Sequence, residues 1–139
     1  MKLKLLALSM TLGFAAVASA QNTGPVKIGF ITDMSSLYAD IDGPAGAEMV
    51  NWAVQDFGGK VLNRPIEVLS ADHQNKADIA SSKAREWIDN DGLSMLIGGT
   101  NSGTALAMAK IAQERKRPFM AIGPGSARLT NEACSPSTV

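Results

Sequence analysis

The chain has 139 residues, of which 13 are basic and 13 acidic, so its formal net charge is zero. A balance this close to neutral lacks the basic surface that draws proteins to nucleic acid or to anionic membranes, and we expect no nucleic-acid partner. The sequence has one histidine and one cysteine, without the spacing of a catalytic triad or a metal cluster. This argues against an enzyme, and we expect no metal and no cofactor.

The first twenty residues have the pattern of a secretory signal peptide. Two lysines precede an uncharged run over residues 5–17, and Ala18-Ser-Ala20 has the small-x-small pattern that signal peptidase cuts. The run is shorter than the roughly 20 residues that span a bilayer, which disfavours the alternative of a membrane anchor. Gln21, not cysteine, follows the expected cut, so no lipid anchor is predicted. We expect residues 1–20 to be removed and the mature chain to lie outside the cytoplasm.

The mature sequence begins with a strand, a helix and a second strand. Val26 to Thr32 alternates and is rich in β-branched residues, which predicts a strand. Apolar residues recur at helical spacing from Gly43 to Phe57, at Ala47, Val50, Val54 and Phe57. Pro65 then opens a second strand over Ile66–Ser70.

The next segment predicts another helix and strand. Asn75 or Asp78 is expected to cap the helix, which ends near Asp91-Gly92. Its apolar stripe consists of Ala80, Ala84, Trp87 and Ile88. A third strand is predicted over Ser94–Ile97.

A third helix and a fourth strand complete the alternation. Ser102 is expected to cap the helix. The face that we expect to be buried consists of Ala105, Met108, Ala109 and Ala112. The fourth strand is predicted from Pro118 to Ile122, with the proline at the position where a missing amide costs least.

This alternation predicts an α/β fold, a parallel sheet with helices on both faces. No helix pattern follows the fourth strand, so that strand is expected to keep an uncovered face and an unpaired edge. We therefore expect residues 21–139 to be the amino-terminal part of a longer protein. The alternative is a small, complete domain of four strands. Cys134, alone in an exported chain, either stays free or has its partner outside this sequence.

Two turns at the carboxyl ends of strands could hold a small ligand, because open α/β sheets bind ligands there. Ser102 carries a hydroxyl among helix amides that have no partner, which attracts a carboxylate; the alternative is an ordinary helix cap. In the next turn, Gly125 lets a ligand approach the backbone and Ser126 offers a hydroxyl; the alternative is a tight turn alone. Tyr38, in the long loop after the first strand, either lines a pocket or lies on the surface.

Nucleotide binding is disfavoured by the first turn of the predicted sheet. Asp72 ends the second strand, where an acid could bind a ribose, but the glycine pattern that holds a pyrophosphate is missing after the first strand. His73 follows in a polar loop and is predicted to be a surface histidine.

The ordered set of motifs resembles the amino-terminal lobe of the type I periplasmic substrate-binding proteins that serve ABC importers of branched-chain amino acids and related small carboxylates. The segments that carry this resemblance cover the whole mature chain. They are Val26-Lys-Ile-Gly29, Gly43-Pro-Ala-Gly46, Ile66-Glu-Val-Leu-Ser-Ala-Asp72, Ile97-Gly-Gly-Thr-Asn-Ser-Gly103, Ala105-Leu-Ala-Met-Ala109 and Gly125-Ser-Ala-Arg-Leu-Thr130.

The resemblance implies a function and a set of site residues. In that family two lobes close over a ligand, and Ser102, with Asn101 in the same turn, would hold its carboxylate. Gly125 and Ser126 would add contacts and Tyr38 would line the cleft, while the second lobe, absent here, would bind the rest of the ligand. The family has alanine and threonine more often in the later turn, where this chain has Gly125 and Ser126.

The implied protein is a monomeric, non-enzymatic solute-binding component of an ABC importer. It would lie in the periplasm, with a small carboxylate as its ligand and a membrane permease as its partner. The alternative is the ligand-sensing domain of a receptor or regulator with the same fold.

Overall fold

The computed structural model describes residues 24–139, so the predicted signal peptide lies outside the described residues. Within this range five strands form one sheet: β1 (Val26–Thr32), β2 (Lys60–Val61), β3 (Arg64–Asp72), β4 (Met95–Gly98) and β5 (Phe119–Ala121). The helices are α1 (Ala39–Asp42), α2 (Pro44–Asp56), α3 (Ala77–Asp89), α4 (Ser102–Arg115) and a short 3-10 helix (Ala127–Leu129). The four predicted strands and the three predicted helices are therefore confirmed. Their observed ends differ from the predicted ends by no more than two residues.

The sheet has the strand order β2-β3-β1-β4-β5, and all pairings except that of β2 with β3 are parallel. The hairpin that β2 forms with β3 was not predicted. Its turn residues, Leu62 and Asn63, have φ of 51° and 60°, a left-handed conformation that glycine or asparagine usually signals. The pattern Leu-Asn lacks that glycine, and β2 is only 2 residues long.

Helices cover both faces of the sheet, as predicted. A Cβ atom on Gly29 would come within 2.8 Å of the Trp87 ring on α3. The next strand residue, Phe30, packs against α2, where a Cβ atom on Gly46 would lie 2.9 Å from its ring. Successive strand residues point to opposite faces, so α3 and α2 lie on opposite sides of β1. The fold is a mainly parallel α/β sheet between helices.

The main core lies between the sheet and the pair α3 and α4. Both predicted helix stripes are buried there, and Leu93, Leu96 and Phe119 complete the cluster from the sheet side. The opposite face is less covered. An apolar groove of about 460 Å³ runs between α2 and the sheet, and among the predicted α2 positions only Ala47 is buried. Phe57 is 68% exposed.

The predicted cap of α3 is wrong. Lys76 occupies the N-cap position and makes no side-chain capping hydrogen bond. Asn75 has a φ of 55° and belongs to the preceding turn, while Asp78 lies inside the first helical turn. A carboxylate there still interacts favourably with the positive end of the helix dipole.

The expected unpaired edge of the last strand is also wrong. The carboxyl-terminal tail, residues 131–139, runs beside β5 at its end. The Phe119 N–H donates to the Ser137 carbonyl at 2.7 Å and the Ala121 N–H to the Val139 carbonyl at 2.8 Å. The Val139 N–H returns a hydrogen bond to Phe119 at 3.0 Å. Backbone groups of residues 137–139 thus satisfy the outer side of β5.

No helix within residues 24–139 has the length and apolar character needed to cross a bilayer.

Candidate functional site

The carboxyl ends of β3, β1, β4 and β5 meet at one edge of the sheet because these four strands are parallel. The segments that follow them, residues 73–76, 33–43, 99–101 and 122–126, therefore lie side by side. We call this row of turns the carboxyl edge. All residues that the sequence nominates for ligand binding belong to it or to the first residue of α4.

Two glycines allow the sharp turn after β4. Gly98 has a φ of 134°, and a Cβ atom there would lie 2.0 Å from the Ile31 carbonyl oxygen. Gly99 has a φ of 82°, and a Cβ atom there would press on Ala105 of α4 at 2.9 Å. Side chains at either position would clash with backbone or with the packed helix. The glycines bring the start of α4 directly against the end of β4.

The start of α4 leaves donors unused, although its predicted cap is wrong. Asn101, not Ser102, is the N-cap: its Oδ1 accepts hydrogen bonds from the Gly103 N–H at 2.7 Å and the Thr104 N–H at 3.1 Å. Ser102 is the first helical residue and half-buried. Its hydroxyl and its backbone N–H have no hydrogen-bond partner among residues 24–139. The turn therefore presents two free donors at the amino end of a 14-residue helix.

The turn after β5 is the second nominated element. Ser126 caps the 3-10 helix, since its Oγ accepts from the Arg128 N–H at 3.3 Å. Gly125 is exposed, and apart from its two neighbours in the chain no residue comes within 4 Å of the position that its Cβ would take. Ser126 also lines a cavity of about 330 Å³ between this turn and the tail, together with Gly123, Leu129 and Cys134. Ser102 is not among the residues that line this cavity.

Thr100 joins these two turns. Its hydroxyl donates to the Asp42 carboxylate at the end of α1 and lies 3.3 Å from the carbonyl oxygen of Ile122. A Cβ atom on Gly123 would lie 3.8 Å from the Thr100 side chain. The turns that carry Ser102 and Ser126 are therefore neighbours on the same edge of the sheet.

The long loop after β1 is built around Asp33. This buried carboxylate accepts hydrogen bonds from the Ser36 N–H at 2.9 Å, the Ser36 hydroxyl at 2.6 Å and the Tyr38 N–H at 2.9 Å. Burial by itself raises the pKa of Asp33, but these hydrogen bonds outweigh it and hold the pKa below its ordinary value. Tyr38 is half-buried, and the hydrogen bond from its backbone N–H to Asp33 sets its position in the loop.

Asp72 ties the end of β3 to the same loop. Its carboxylate accepts from the Met34 N–H at 2.9 Å, the Gln74 N–H at 2.7 Å and the Ser35 hydroxyl. Burial by itself raises the pKa of Asp72, but the hydrogen bonds lower it by a larger amount, so the pKa lies below its ordinary value. Asp72 therefore connects the loop after β1 to the turn after β3. The sequence pattern, which suggested only a possible ribose contact, does not indicate this role.

The prediction that His73 lies on the surface is wrong. Its side chain is fully buried, and its Nδ1 accepts a hydrogen bond from the Asn75 N–H at 3.0 Å. The proton of the neutral ring is then on Nε2, which is buried without a hydrogen-bond partner among residues 24–139. Burial lowers the pKa of His73 and outweighs the nearby carboxylates of Asp33, Asp72 and Asp42, which raise it.

Part of this network had a signal in the sequence. Asp33 followed by Ser35 and Ser36 is a pattern in which a carboxylate caps the amides of its own turn. The partners of Thr100 and Asp72 lie 58 and 37 residues away in the chain, and no local pattern indicates them.

Within residues 24–139, no group of three or more acidic, histidine or cysteine side chains is placed to hold a metal ion.

Comparisons with known proteins place the chain in a family. The sequence profile described as periplasmic binding protein matches residues 25–139. A solved periplasmic binding protein from Burkholderia mallei is 64% identical over 83% of this chain and 31% of its own, with a TM-score of 0.81. No curated protein sequence matches the chain.

Two further solved structures are similar to this chain. A branched-chain amino acid ABC transporter periplasmic ligand-binding protein from Burkholderia xenovorans LB400 is 38% identical over 81% of this chain and 30% of its own, with a TM-score of 0.77. An ABC transporter solute-binding protein from R. palustris, solved in complex with benzoate, is 30% identical over 83% of this chain and 32% of its own, with a TM-score of 0.74.

The chain thus spans about a third of the length of these solved relatives. The profile match covers nearly all of the described residues, and the fold agrees with that of the relatives. This chain belongs to the periplasmic binding protein family.

Proposed function

We propose that this chain is the amino-terminal lobe of a periplasmic solute-binding component of an ABC importer. Its ligand is a small carboxylate, such as a branched-chain amino acid or an aromatic acid. The carboxylate binds at the carboxyl edge, in a cleft that a second lobe completes. Binding is coupled to closure of the two lobes, which presents a recognisable surface to a membrane permease, and no covalent step is involved.

The observation that carries this proposal is the pair of donors on Ser102 that have no hydrogen-bond partner among residues 24–139. Asn101 already satisfies the Gly103 and Thr104 amides, so α4 has no need of the Ser102 hydroxyl. A hydroxyl and a helix-terminal N–H directed to the same edge suit the two oxygens of a carboxylate. The helix dipole adds an attraction for negative charge without a cationic side chain.

Gly125 and Ser126 complete the proposed site from the neighbouring turn, and Tyr38 forms its wall. The open space at Gly125 lets a ligand approach the backbone. The Ser126 hydroxyl accepts from Arg128, so its proton remains available to a ligand oxygen. One relative is described as the ligand-binding protein of a branched-chain amino acid transporter and the other was solved with benzoate. Branched-chain amino acids and benzoate share a carboxylate on an apolar body.

Replacing Ser102 by alanine tests the site directly. Ser102→Ala in the full-length protein should weaken binding of L-leucine, L-isoleucine or benzoate by about 1 to 3 kcal/mol, the cost of leaving a buried polar group without its hydrogen-bond partner. Titration calorimetry on the ligand that the unaltered protein binds measures this loss.

A matched control is Ser82→Ala, which removes the hydroxyl of an exposed serine on α3, away from the carboxyl edge. It should leave the affinity unchanged. Equal affinity in the Ser102→Ala protein would remove this residue from the site, and failure of the unaltered protein to bind any of the three carboxylates would contradict the proposed function.

A further inference from the structure

Side-chain hydrogen bonds connect four neighbouring turns of the carboxyl edge in series. Asp72, at the end of β3, holds Met34 and Ser35 at the beginning of the loop after β1. Asp42, at the far end of that loop, accepts from Thr100 in the turn after β4. The same Thr100 hydroxyl lies 3.3 Å from the Ile122 carbonyl oxygen in the turn after β5. Thr100 is therefore the residue at which three of the turns meet.

Thr100 stands two residues before Ser102 and directly before the cap residue Asn101. A shift of its backbone would move the start of α4 with it. On its other side, the Thr100 hydroxyl lies 3.3 Å from the carbonyl oxygen of Ile122, which is followed by Gly123, Gly125 and Ser126. All the proposed ligand groups of the edge are thus within a few residues of a Thr100 contact.

Asp42 depends on Thr100 for its position. The Thr100 hydroxyl is the one hydrogen-bond donor to the Asp42 side chain among residues 24–139, and the other carboxylate oxygen, Oδ1, is buried without a partner. Hydrogen bonds to a carboxylate are stronger than those between neutral groups. Without this donor the half-buried carboxylate would have no hydrogen bond to offset its partial loss of hydration. Moving towards water would then lower its free energy. The end of the loop that carries Tyr38 would move with it.

We propose that Thr100 is a positioning residue that sets the ligand affinity of the carboxyl edge. Its single hydroxyl proton goes chiefly to Asp42 in the loop of residues 33–43 and is shared with the Ile122 carbonyl, 3.3 Å away, in the turn of residues 122–126. This keeps both segments in fixed places relative to Ser102. The site is then ordered before a ligand arrives, so that binding does not have to offset the entropy of ordering these segments. This inference rests on the proposed function, because it concerns the same ligand site.

Thr100→Val tests the proposal because valine keeps the shape of threonine and lacks its hydroxyl. This variant should bind L-leucine, L-isoleucine or benzoate, whichever the unaltered protein binds, about tenfold more weakly. Thr100→Ser keeps the hydroxyl and should bind nearly as well as the unaltered protein. Asp42→Ala removes the hydrogen bond to Thr100 but leaves the Thr100 hydroxyl beside Ile122, so it should weaken binding no more than Thr100→Val does. The double variant should be no weaker than Thr100→Val alone, since that change already removes the hydrogen bond to Asp42.

A second measurement separates positioning from simple stabilisation and needs no ligand. Hydrogen exchange of the backbone amides in residues 34–43 and 122–126 should be faster in Thr100→Val and unchanged in Thr100→Ser. Amides of α3 should exchange at the same rate in all variants. A merely structural role would lower the unfolding temperature without changing affinity in the folded protein or exchange at these two segments.

The two proposals fail in different ways. Unchanged affinity and unchanged exchange in Thr100→Val, with normal binding by the unaltered protein, would overturn the positioning role and leave the proposed function standing. An unaltered protein that binds none of the three carboxylates would overturn both.

Discussion

At the scale of single residues, His73 makes the stability of the fold depend on pH. The unfolded chain binds a proton on histidine with a pKa near 6.5, and burial lowers that pKa in the folded state. Below this value the unfolded state binds more protons than the folded state, so acidification favours unfolding. We expect the free energy of unfolding to fall as the pH is lowered from 7.5 towards 5.5, measured by urea denaturation.

The same group can be followed by NMR, because His73 is the only histidine in the sequence. In a tag-free protein its ring signals should titrate below the range of an exposed histidine. The contribution of Asp33 and Asp72 belongs to a separate window, since their pKa values lie below the ordinary 3.8 and their stabilisation is lost only in more acidic solution. A His73 that titrates normally, with stability constant between pH 7.5 and 5.5, would contradict this account.

Residue roles at the carboxyl edge were predictable only in part. The sequence indicates which turns carry hydroxyls and glycines, and the structure has those turns side by side. It does not indicate whether Asn101 or Ser102 caps α4, because the two candidates are adjacent and a shift of one residue exchanges their roles. The burial of His73 is not indicated by the sequence because its loop is polar, whereas its neighbours in the structure include Thr32 and Asp33, about 40 residues earlier in the chain.

At the scale of elements, α4 depends on Asn101. This side chain satisfies two of the amides that the first turn leaves without helical partners. Asn101→Ala should lower the free energy of unfolding by about 1 kcal/mol, the typical effect of losing an N-cap. Urea denaturation followed by circular dichroism measures this difference.

Asn101→Asp is the matched control, because aspartate accepts the same hydrogen bonds and should keep most of the stability. Ser102→Ala should also leave stability nearly unchanged, since its hydroxyl makes no hydrogen bond among residues 24–139. The opposite result, a stable Asn101→Ala and a destabilised Ser102→Ala, would return the capping role to Ser102.

Element types were more predictable than their partners. The stripes of α3 and α4 have helical spacing and are buried as the pattern indicates. The hairpin of β2 was missed because two residues show no period, and its turn has no glycine. The pairing of the tail with β5 was missed because these backbone hydrogen bonds depend on position and leave no side-chain pattern.

At the scale of the whole molecule, the export prediction is independent of the fold. We propose that signal peptidase cuts after Ala20, so the protein recovered from the periplasmic fraction should begin at Gln21, as mass spectrometry of the intact amino terminus would show. Replacing Ala18 and Ala20 by bulky charged residues should block the cut, because the peptidase needs small residues at these two positions. An uncut protein in the periplasm would contradict the cleavage site.

The sequence by itself determined the α/β class, the order of the main strands and helices, and the family, because each rests on periodicities and turn residues that are local in the chain. Only the tertiary structure decided which residues of the carboxyl edge bind one another. Asp72 with Ser35 and Thr100 with Asp42 are pairs joined across 37 and 58 residues. Such contacts depend on strand order and on the exact direction of each turn, and neither is a property of a short segment.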